Sequence, residues 1–270
     1  MISFGYTKGG MICTIRPPFD FHVKGYKMDS RIIVDLDKMP LDRAVMLASS
    51  IGSNAAAYKV HSLADMDMAV TVAALKDAGA GTIMLDWKEK DMPDTIEQRA
   101  AKAKAGGADW LTVHADGGPD MIRKAKESGL YIIAITLLTS LTDDMVRHLY
   151  VAEPDEVVRK LAIWAFDGGA NALVCSAKQV ANLNKWRSNY AACDSWNMKL
   201  IVPGTRSAGV SHHDQKQVTT PYEAILNGAD YLVGGRQITQ AKDPLTAMKA
   251  MDEEIQPAIE ARIAASTWRS

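Results

Sequence analysis

The sequence predicts an α/β fold, a single (β/α)₈ TIM barrel preceded by an N-terminal extension. Three observations carry that expectation. From Arg31 onward, short apolar runs alternate with longer helical runs, eight pairs in succession. The apolar runs are continuous, as expected of parallel strands buried on both faces. The turns before several of them repeat a theme: Asp77-Ala78-Gly79-Ala80-Gly81, Gly106-Gly107-Ala108-Asp109, Gly168-Gly169-Ala170-Asn171 and Asn227-Gly228-Ala229-Asp230. Each is a helix stop, where glycine takes the left-handed conformation without a Cβ clash. A length of 270 residues suits one such barrel, which typically needs about 250. An open doubly wound sheet is the alternative.

Residues 1–30 stand apart. Gly5, Gly9, Gly10, Pro17, Pro18 and Gly25 punctuate them and no clear period appears, so they are expected to form a partly disordered extension ahead of a barrel domain at 31–270. Within the barrel, Ile32–Asp37 is expected as a strand and Leu41–Ser53 as a helix. Strand Ala56–His61 precedes helix Leu63–Ala78, and strand Thr82–Lys88 precedes helix Pro93–Ala105. Strand Trp110–His114 leads to helix Pro119–Ser128. Strand Tyr131–Leu137 leads to a longer, mostly helical stretch, Thr142–Phe166. The last three units are Ala172–Cys175 with Lys178–Tyr190, Lys199–Val202 with Pro221–Leu226, and Tyr231–Val233 with a helix from Pro244.

Composition narrows the functional class. The chain is 47% apolar and 23% charged, with a formal net charge of −1. Nucleic-acid binders usually carry a basic surplus, so no nucleic acid is expected as partner. No apolar run is long enough to span a bilayer, so no membrane role is expected. Met1–Phe21 lacks a continuous apolar h-region, and a cytoplasmic protein is expected. Cys13, Cys175 and Cys193 are odd in number and lack C-x-x-C spacing, which supports neither a disulfide framework nor a zinc site.

A barrel places its chemistry at the C-terminal ends of the strands. Each expected strand end supplies polar residues: Asp37, Lys59, Asp86 with Lys88, His114, Thr136 with Thr139, Ser176, Gly204 with Arg206, and Gly235 with Arg236. The sharpest run is Leu85-Asp86-Trp87-Lys88-Glu89-Lys90-Asp91-Met92-Pro93. Strand alternation puts Asp86 and Lys88 inside the mouth and turns Trp87 outward under the helices. A buried Asp–Lys pair is costly unless fully hydrogen-bonded, so it marks either a structural rim pair or a functional site. A fixed ammonium among carboxylates can stabilise a developing carbanion and protonate it. Schiff-base chemistry needs a neutral amine, which those carboxylates disfavour.

The loops after the seventh and eighth strands, where barrels often bind phosphate, carry Pro203-Gly204-Thr205-Arg206 and Gly234-Gly235-Arg236. Their backbone N–H groups and arginines suit an anion. The long loop from Gly204 to Thr220 has the length of a lid, and its Gln215 is within reach of a phosphate. Its His212-His213 pair has no acidic partner at ligand spacing, so no metal site is expected there. The tryptophans Trp110, Trp164, Trp186 and Trp196 are expected to pack rather than to stack on bases.

Together these residues resemble the orotidine 5′-monophosphate decarboxylase family, the bacterial type above all. Asp86-x-Lys88-x-x-Asp91-x-Pro93 is similar to that family's signature. The likeness continues through Val113–Gly118, Ile135–Ser140, Val174–Ala177, Val202–Arg206, Asp214-Gln215 and Gly235-Arg236, and covers about Arg31 to Ile255. The resemblance implies a homodimer with shared active sites that decarboxylates orotidine monophosphate to uridine monophosphate, the last step of de novo pyrimidine synthesis, with no cofactor and no metal. It implies Lys88 as proton donor to C6, Asp86 beside the departing carboxylate, and Lys59 within the charged network and on the ribose. Asp37 would bind ribose, and Asp91 and Thr95 would reach the partner's site. Thr139 would meet the pyrimidine, and Gln215, Gly235 and Arg236 would hold the phosphate above Arg206.

The chain departs from the family pattern at Asp35, His61, Lys90, Met92, Asp94 and Thr205. Asp35 lies on the same face as Asp37, one layer deeper, and needs a partner. The alternatives are a related Mg²⁺-dependent phosphosugar lyase, which lacks the proline after the motif and the Pro-Gly-x-Arg turn, and a barrel that binds nucleotide without turnover.

Overall fold

The computed structural model describes residues 3–7, 10–14, 30–190, 198–207 and 219–267. The first two stretches are strands β1 (Ser3–Thr7) and β2 (Gly10–Thr14), paired antiparallel with Ser3 opposite Thr14. The expected irregular arm therefore contains a hairpin. Phe4, Tyr6 and Ile12 favour strand.

The rest is a closed barrel of eight parallel strands: β3 (Ile32–Asp35), β4 (Ala57–Val60), β5 (Ile83–Glu89), β6 (Trp110–His114), β7 (Tyr131–Ile135), β8 (Ala172–Val174), β9 (Lys199–Pro203) and β10 (Tyr231–Gly234). β10 closes onto β3 with Leu232 opposite Ile32. The helices are α1 (Leu41–Ile51), α2 (Met68–Asp77), α3 (Pro93–Ala105), α4 (Pro119–Glu127), α5 (Asp143–Tyr150), α6 (Pro154–Asp167), α7 (Val180–Tyr190), α8 (Pro221–Leu226), α9 (Arg236–Thr239) and α10 (Pro244–Thr267).

Alternation along each strand builds two apolar layers. Ile33, Ala57, Met84, Ile133, Ala172 and Ile201 fill the barrel interior. Val34, Tyr58, Leu85, Leu111, Ile132 and Val202 face the helices, and Trp87 packs on that outer layer. At the floor, the Trp110 ring stacks on Tyr131 at 4.9 Å and meets Tyr231 edge-on at 5.7 Å. This aromatic floor fills the end of the barrel opposite the site.

The repeated Gly-Ala-Asp and Gly-Ala-Asn turns do more than stop helices. Asp109 Oδ2 accepts from Ile83 N–H at 2.9 Å and pairs with Lys76. Asn171 Oδ1 accepts from Ile132 N–H at 2.9 Å and from Lys126 Nζ. Asp230 Oδ2 accepts from Leu200 N–H at 2.9 Å and from Arg187. Each side chain fixes the start of the preceding strand and holds a cation from the helix before that strand. Sequence periodicity shows the glycines of this device and leaves its hydrogen bonds unseen.

Among the boundaries that differ from expectation, three stand out. The stretch Thr142–Phe166 is two helices, broken where Val151 takes a left-handed φ of 52° ahead of Pro154. β3 ends at Asp35, so Asp37 lies in the turn that follows. The helix expected from Leu63 begins at Met68, after a 3₁₀ turn at Ser62–Ala64 and with Asp67 accepting from Val70 N–H.

Candidate active site

A cavity of about 270 Å³ opens at the C-terminal ends of the strands, lined among others by Asp35, Lys59, Asp86, Lys88, Thr139, Arg206 and Gly235. At its centre is Lys59 on β4, 7% exposed. Lys59 Nζ lies 2.6 Å from Asp37 Oδ2, 2.9 Å from Asp35 Oδ1 and 3.2 Å from Asp86 Oδ2. Burial alone would lower the Lys59 pKa, but Asp86, Asp35 and Asp37 outweigh it and hold the ammonium charged, above its usual range. The partner that Asp35 needs is thus Lys59. Burial pushes the Asp35 carboxyl up and the Lys59 charge opposes it.

Asp86 Oδ2 is shared with Lys88 Nζ at 2.8 Å, which extends the chain of charges from Asp37 through Lys59 and Asp86 to Lys88. Lys88 reaches that position by an unexpected route. β5 pairs Leu85 with Leu111 but Glu89 with Val113, so the strand bulges between them. Lys88 there has a φ of 53°, a left-handed conformation disfavoured for a residue with a Cβ. Simple alternation placed Asp86 and Lys88 on one side, and the bulge delivers that result by different geometry. Thr112 of β6, absent from the sequence-based candidates, faces the bulge. Its Oγ1 accepts from Lys88 N–H at 2.9 Å and donates to Asp86 Oδ1 at 3.0 Å. A threonine inside a β-strand carries no signal of such a role.

The bulge is braced outside the cavity. Glu89, which lies on the outer side of β5, accepts from Arg99 at 2.6 Å. Lys90 pairs with Asp116 at 2.8 Å, and Tyr150 donates to the same carboxylate at 3.1 Å. His114, at the end of β6, sits 3.7 Å from Asp116. Its burial, aided by Lys90 and Lys88 and opposed by Asp116, lowers its pKa and favours the neutral ring.

The opposite wall is cationic. Gly204, at a φ of 81° that suits glycine, turns the chain after β9 towards Arg206. Arg206 donates from its backbone to Thr219 and from Nη1 to Thr205 O at 2.8 Å. Its pKa is lowered by burial and then by the neighbouring Arg236 charge, with Asp35 opposing. Two guanidiniums close enough to repel each other suit a shared anion. Ser207 is pinned beside them by Gln237 and Glu254.

Not every candidate meets in the cavity. Asp37 touches Lys59 but is not part of the cavity wall. Asp91 is exposed on the loop after β5, its Oδ1 capping Met92 N–H at 2.7 Å, and Thr95 lies one turn into α3. Arg236 opens α9, directly after Gly235. Gln215, His212 and His213 lie outside the described residues. Among the described residues no group of three or more His, Cys, Asp or Glu side chains has metal-holding geometry, and no helix is long and apolar enough to cross a membrane. The Cys175 thiol is fully buried and pushed up to about 12 by burial, so it packs rather than reacts.

Residues 30–251 match the model of the orotidine 5′-phosphate decarboxylase / HUMPS family. The chain is 35% identical over 237 residues to the orotidine 5′-phosphate decarboxylase of Nitrosomonas eutropha, covering 86% of this chain and 99% of that one. It is 37% identical over 234 residues to that of Thermobifida fusca, covering 85% and 97% respectively. The crystal structure of orotidine 5′-phosphate decarboxylase from Lactobacillus acidophilus superposes with a TM-score of 0.70 at 28% identity, over 84% of this chain and 100% of that one.

Proposed function

The chain belongs to the orotidine 5′-phosphate decarboxylase / HUMPS family, and from that premise we propose that it decarboxylates orotidine 5′-monophosphate to uridine 5′-monophosphate in pyrimidine biosynthesis. The observation that carries this reading is the unbroken run Asp37–Lys59–Asp86–Lys88, whose two lysines and Asp86 line one cavity with Arg206, Arg236 lying near enough to Arg206 for their charges to interact.

Loss of CO₂ from C6 of the pyrimidine breaks the C6–carboxylate bond and leaves its electron pair on C6, with no good path for delocalisation. A preorganised ammonium there lowers the barrier because its field is in place before the charge develops. Lys88 Nζ then gives its proton to C6, and solvent returns one to Lys88. Asp86 fixes the Lys88 ammonium and lies beside the departing carboxylate. Lys59 and Asp37 hold ribose, Thr139 meets the base, and Arg206, Gly235, Arg236 and Gln215 take the phosphate. Binding energy from that remote phosphate orders the site for the chemical step. The reaction so drawn uses no cofactor and no metal.

Exposed Asp91 and half-buried Thr95 at the rim fit a homodimer in which both reach into the site of a second copy. Met92, 71% exposed beside them, and Met66 and Leu138 on the other strand-end loops give that rim an apolar character suited to such an interface. A cytoplasmic location goes with this reading.

The test is the loss of pyrimidine absorbance when the purified protein meets orotidine monophosphate with EDTA present throughout. Rapid loss supports the decarboxylase. Turnover that appears only with Mg²⁺, on a phosphosugar, would assign the chain to the other branch of the family. Tight binding of uridine monophosphate without turnover would mark a non-catalytic barrel.

A further inference from the structure

The geometry points to Thr112 as the positioning residue of the charged network: its one hydroxyl sets both the orientation of Asp86 and the backbone turn that delivers Lys88. This inference rests on the decarboxylase reading.

Thr112 is fully buried and does not line the cavity, so it acts only through its neighbours. Its hydrogen bonds leave no choice of direction. Lys88 N–H can only donate, so the Thr112 oxygen must accept it, at 2.9 Å. The hydroxyl proton then points to Asp86 Oδ1 at 3.0 Å, the carbonyl of Leu85 at 3.5 Å being the weaker acceptor. With Oδ1 held, the carboxylate presents Oδ2 to both Lys59 at 3.2 Å and Lys88 at 2.8 Å. Thr112 Oγ1 itself caps the N–H of Lys88, a residue held at a φ of 53° in the middle of the strand bulge. A turn of that kind persists when its surroundings over-determine it, and Thr112 is the side chain on the facing strand that does so. Serine keeps the hydroxyl. Valine keeps the shape and leaves a carboxylate oxygen without its donor and an N–H without its acceptor.

The experiment compares Thr112→Val and Thr112→Ser with the wild type in kcat, KM and uridine monophosphate affinity, each rate being normalised to sites titrated with the nucleotide. Misplacing a reacting group by a fraction of an ångström to an ångström is expected to cost the Val variant about 10–100-fold in kcat. Its KM and nucleotide affinity, set at the phosphate end, should stay within about threefold, and Ser should restore most of the rate. A Val variant with wild-type kcat overturns the inference, as does a Ser variant as slow as Val. If the Val variant yields no nucleotide-binding sites, Thr112→Ala is compared with Ser by the same criteria. A wild type that binds nucleotide but releases no CO₂ overturns the decarboxylase reading instead, and the two failures are distinct.

Discussion

Lys59 holds Asp35 at 2.9 Å, one step deeper on β3 than Asp37, so its ammonium faces three carboxylates of the protein itself. The third carboxylate is Asp35, one of the departures from the family pattern. Burial raises the Asp35 pKa more than Lys59 lowers it. Above the ordinary Asp value but below its raised folded value, the folded chain keeps a proton that the unfolded chain has lost. Stability therefore falls as pH rises through that window and stays reduced above it. Asparagine at this position carries no such dependence. Asp35→Asn should gain on the wild type in thermal midpoint as pH rises from 4 to 8. Parallel melting curves across that range would contradict the argument.

Lys88→Ala should lose about 10³-fold or more in kcat while binding uridine monophosphate within about tenfold of the wild type. The fold should survive, because Asp86 keeps Lys59 at 3.2 Å and Thr112 at 3.0 Å and is not stranded. Nucleotide titration and the absorbance assay on the same sample check both halves. Unimpaired turnover removes Lys88 from the chemical step.

If Asp91 serves the partner's site, inactive Asp91→Ala and Lys88→Ala subunits should complement when mixed. Each mixed dimer rebuilds one site free of both changes. After full random exchange at equal amounts, about a quarter of wild-type activity is expected. Persistent inactivity after exchange, with dimers present by sedimentation, would show that the site is complete within one chain.

Much of this molecule was legible in its sequence, because continuous apolar runs such as Ile32–Val34 and Leu200–Val202 have few uses other than parallel strands. The meeting of Lys59, Asp86 and Lys88 at one mouth followed from strand ends alone. Val151 hid its left-handed turn because nothing in a valine announces one, and the break in the long helical stretch went unseen. Lys88 did the same inside β5. Thr112 and the clamps at Asp109, Asn171 and Asp230 were missed for a common reason: their roles are hydrogen bonds to distant backbone, and periodicity reports only which face is apolar.

Thr205, one of the departures from the family pattern, is 1% exposed and its hydroxyl has no partner among the described residues. A buried hydroxyl that gave up water for nothing is a penalty that an apolar isostere removes. Thr205→Val should therefore stabilise the chain by about 1 kcal/mol. Denaturant midpoints at unchanged m-value are the measure. A lower midpoint would show that the hydroxyl has a partner after all.

The clamp at Asp230 separates what charge contributes from what the hydrogen bond contributes. Asp230 accepts Leu200 N–H and faces both Arg187 and Arg262, all at the floor of the barrel. Burial alone would raise its pKa, but the two guanidiniums and the Leu200 N–H outweigh it and hold it below the ordinary value. Asn171 makes the equivalent bond to Ile132 N–H with a neutral amide, so an amide can serve as clamp at that place in the turn. Asp230→Asn should thus keep the strand anchored while stranding the charges of Arg187 and Arg262. Asp230→Ala should lose both and cost roughly 3–5 kcal/mol, the usual penalty for breaking a buried pair, with the Asn variant in between. Because the folded pKa is depressed, the wild type's advantage is present above the ordinary Asp value and shrinks as pH falls through the folded one. Urea titrations at pH 7 and near pH 3 test this, and a deficit of the Asn variant that is equal at both would show that the ion pairs add nothing to the clamp.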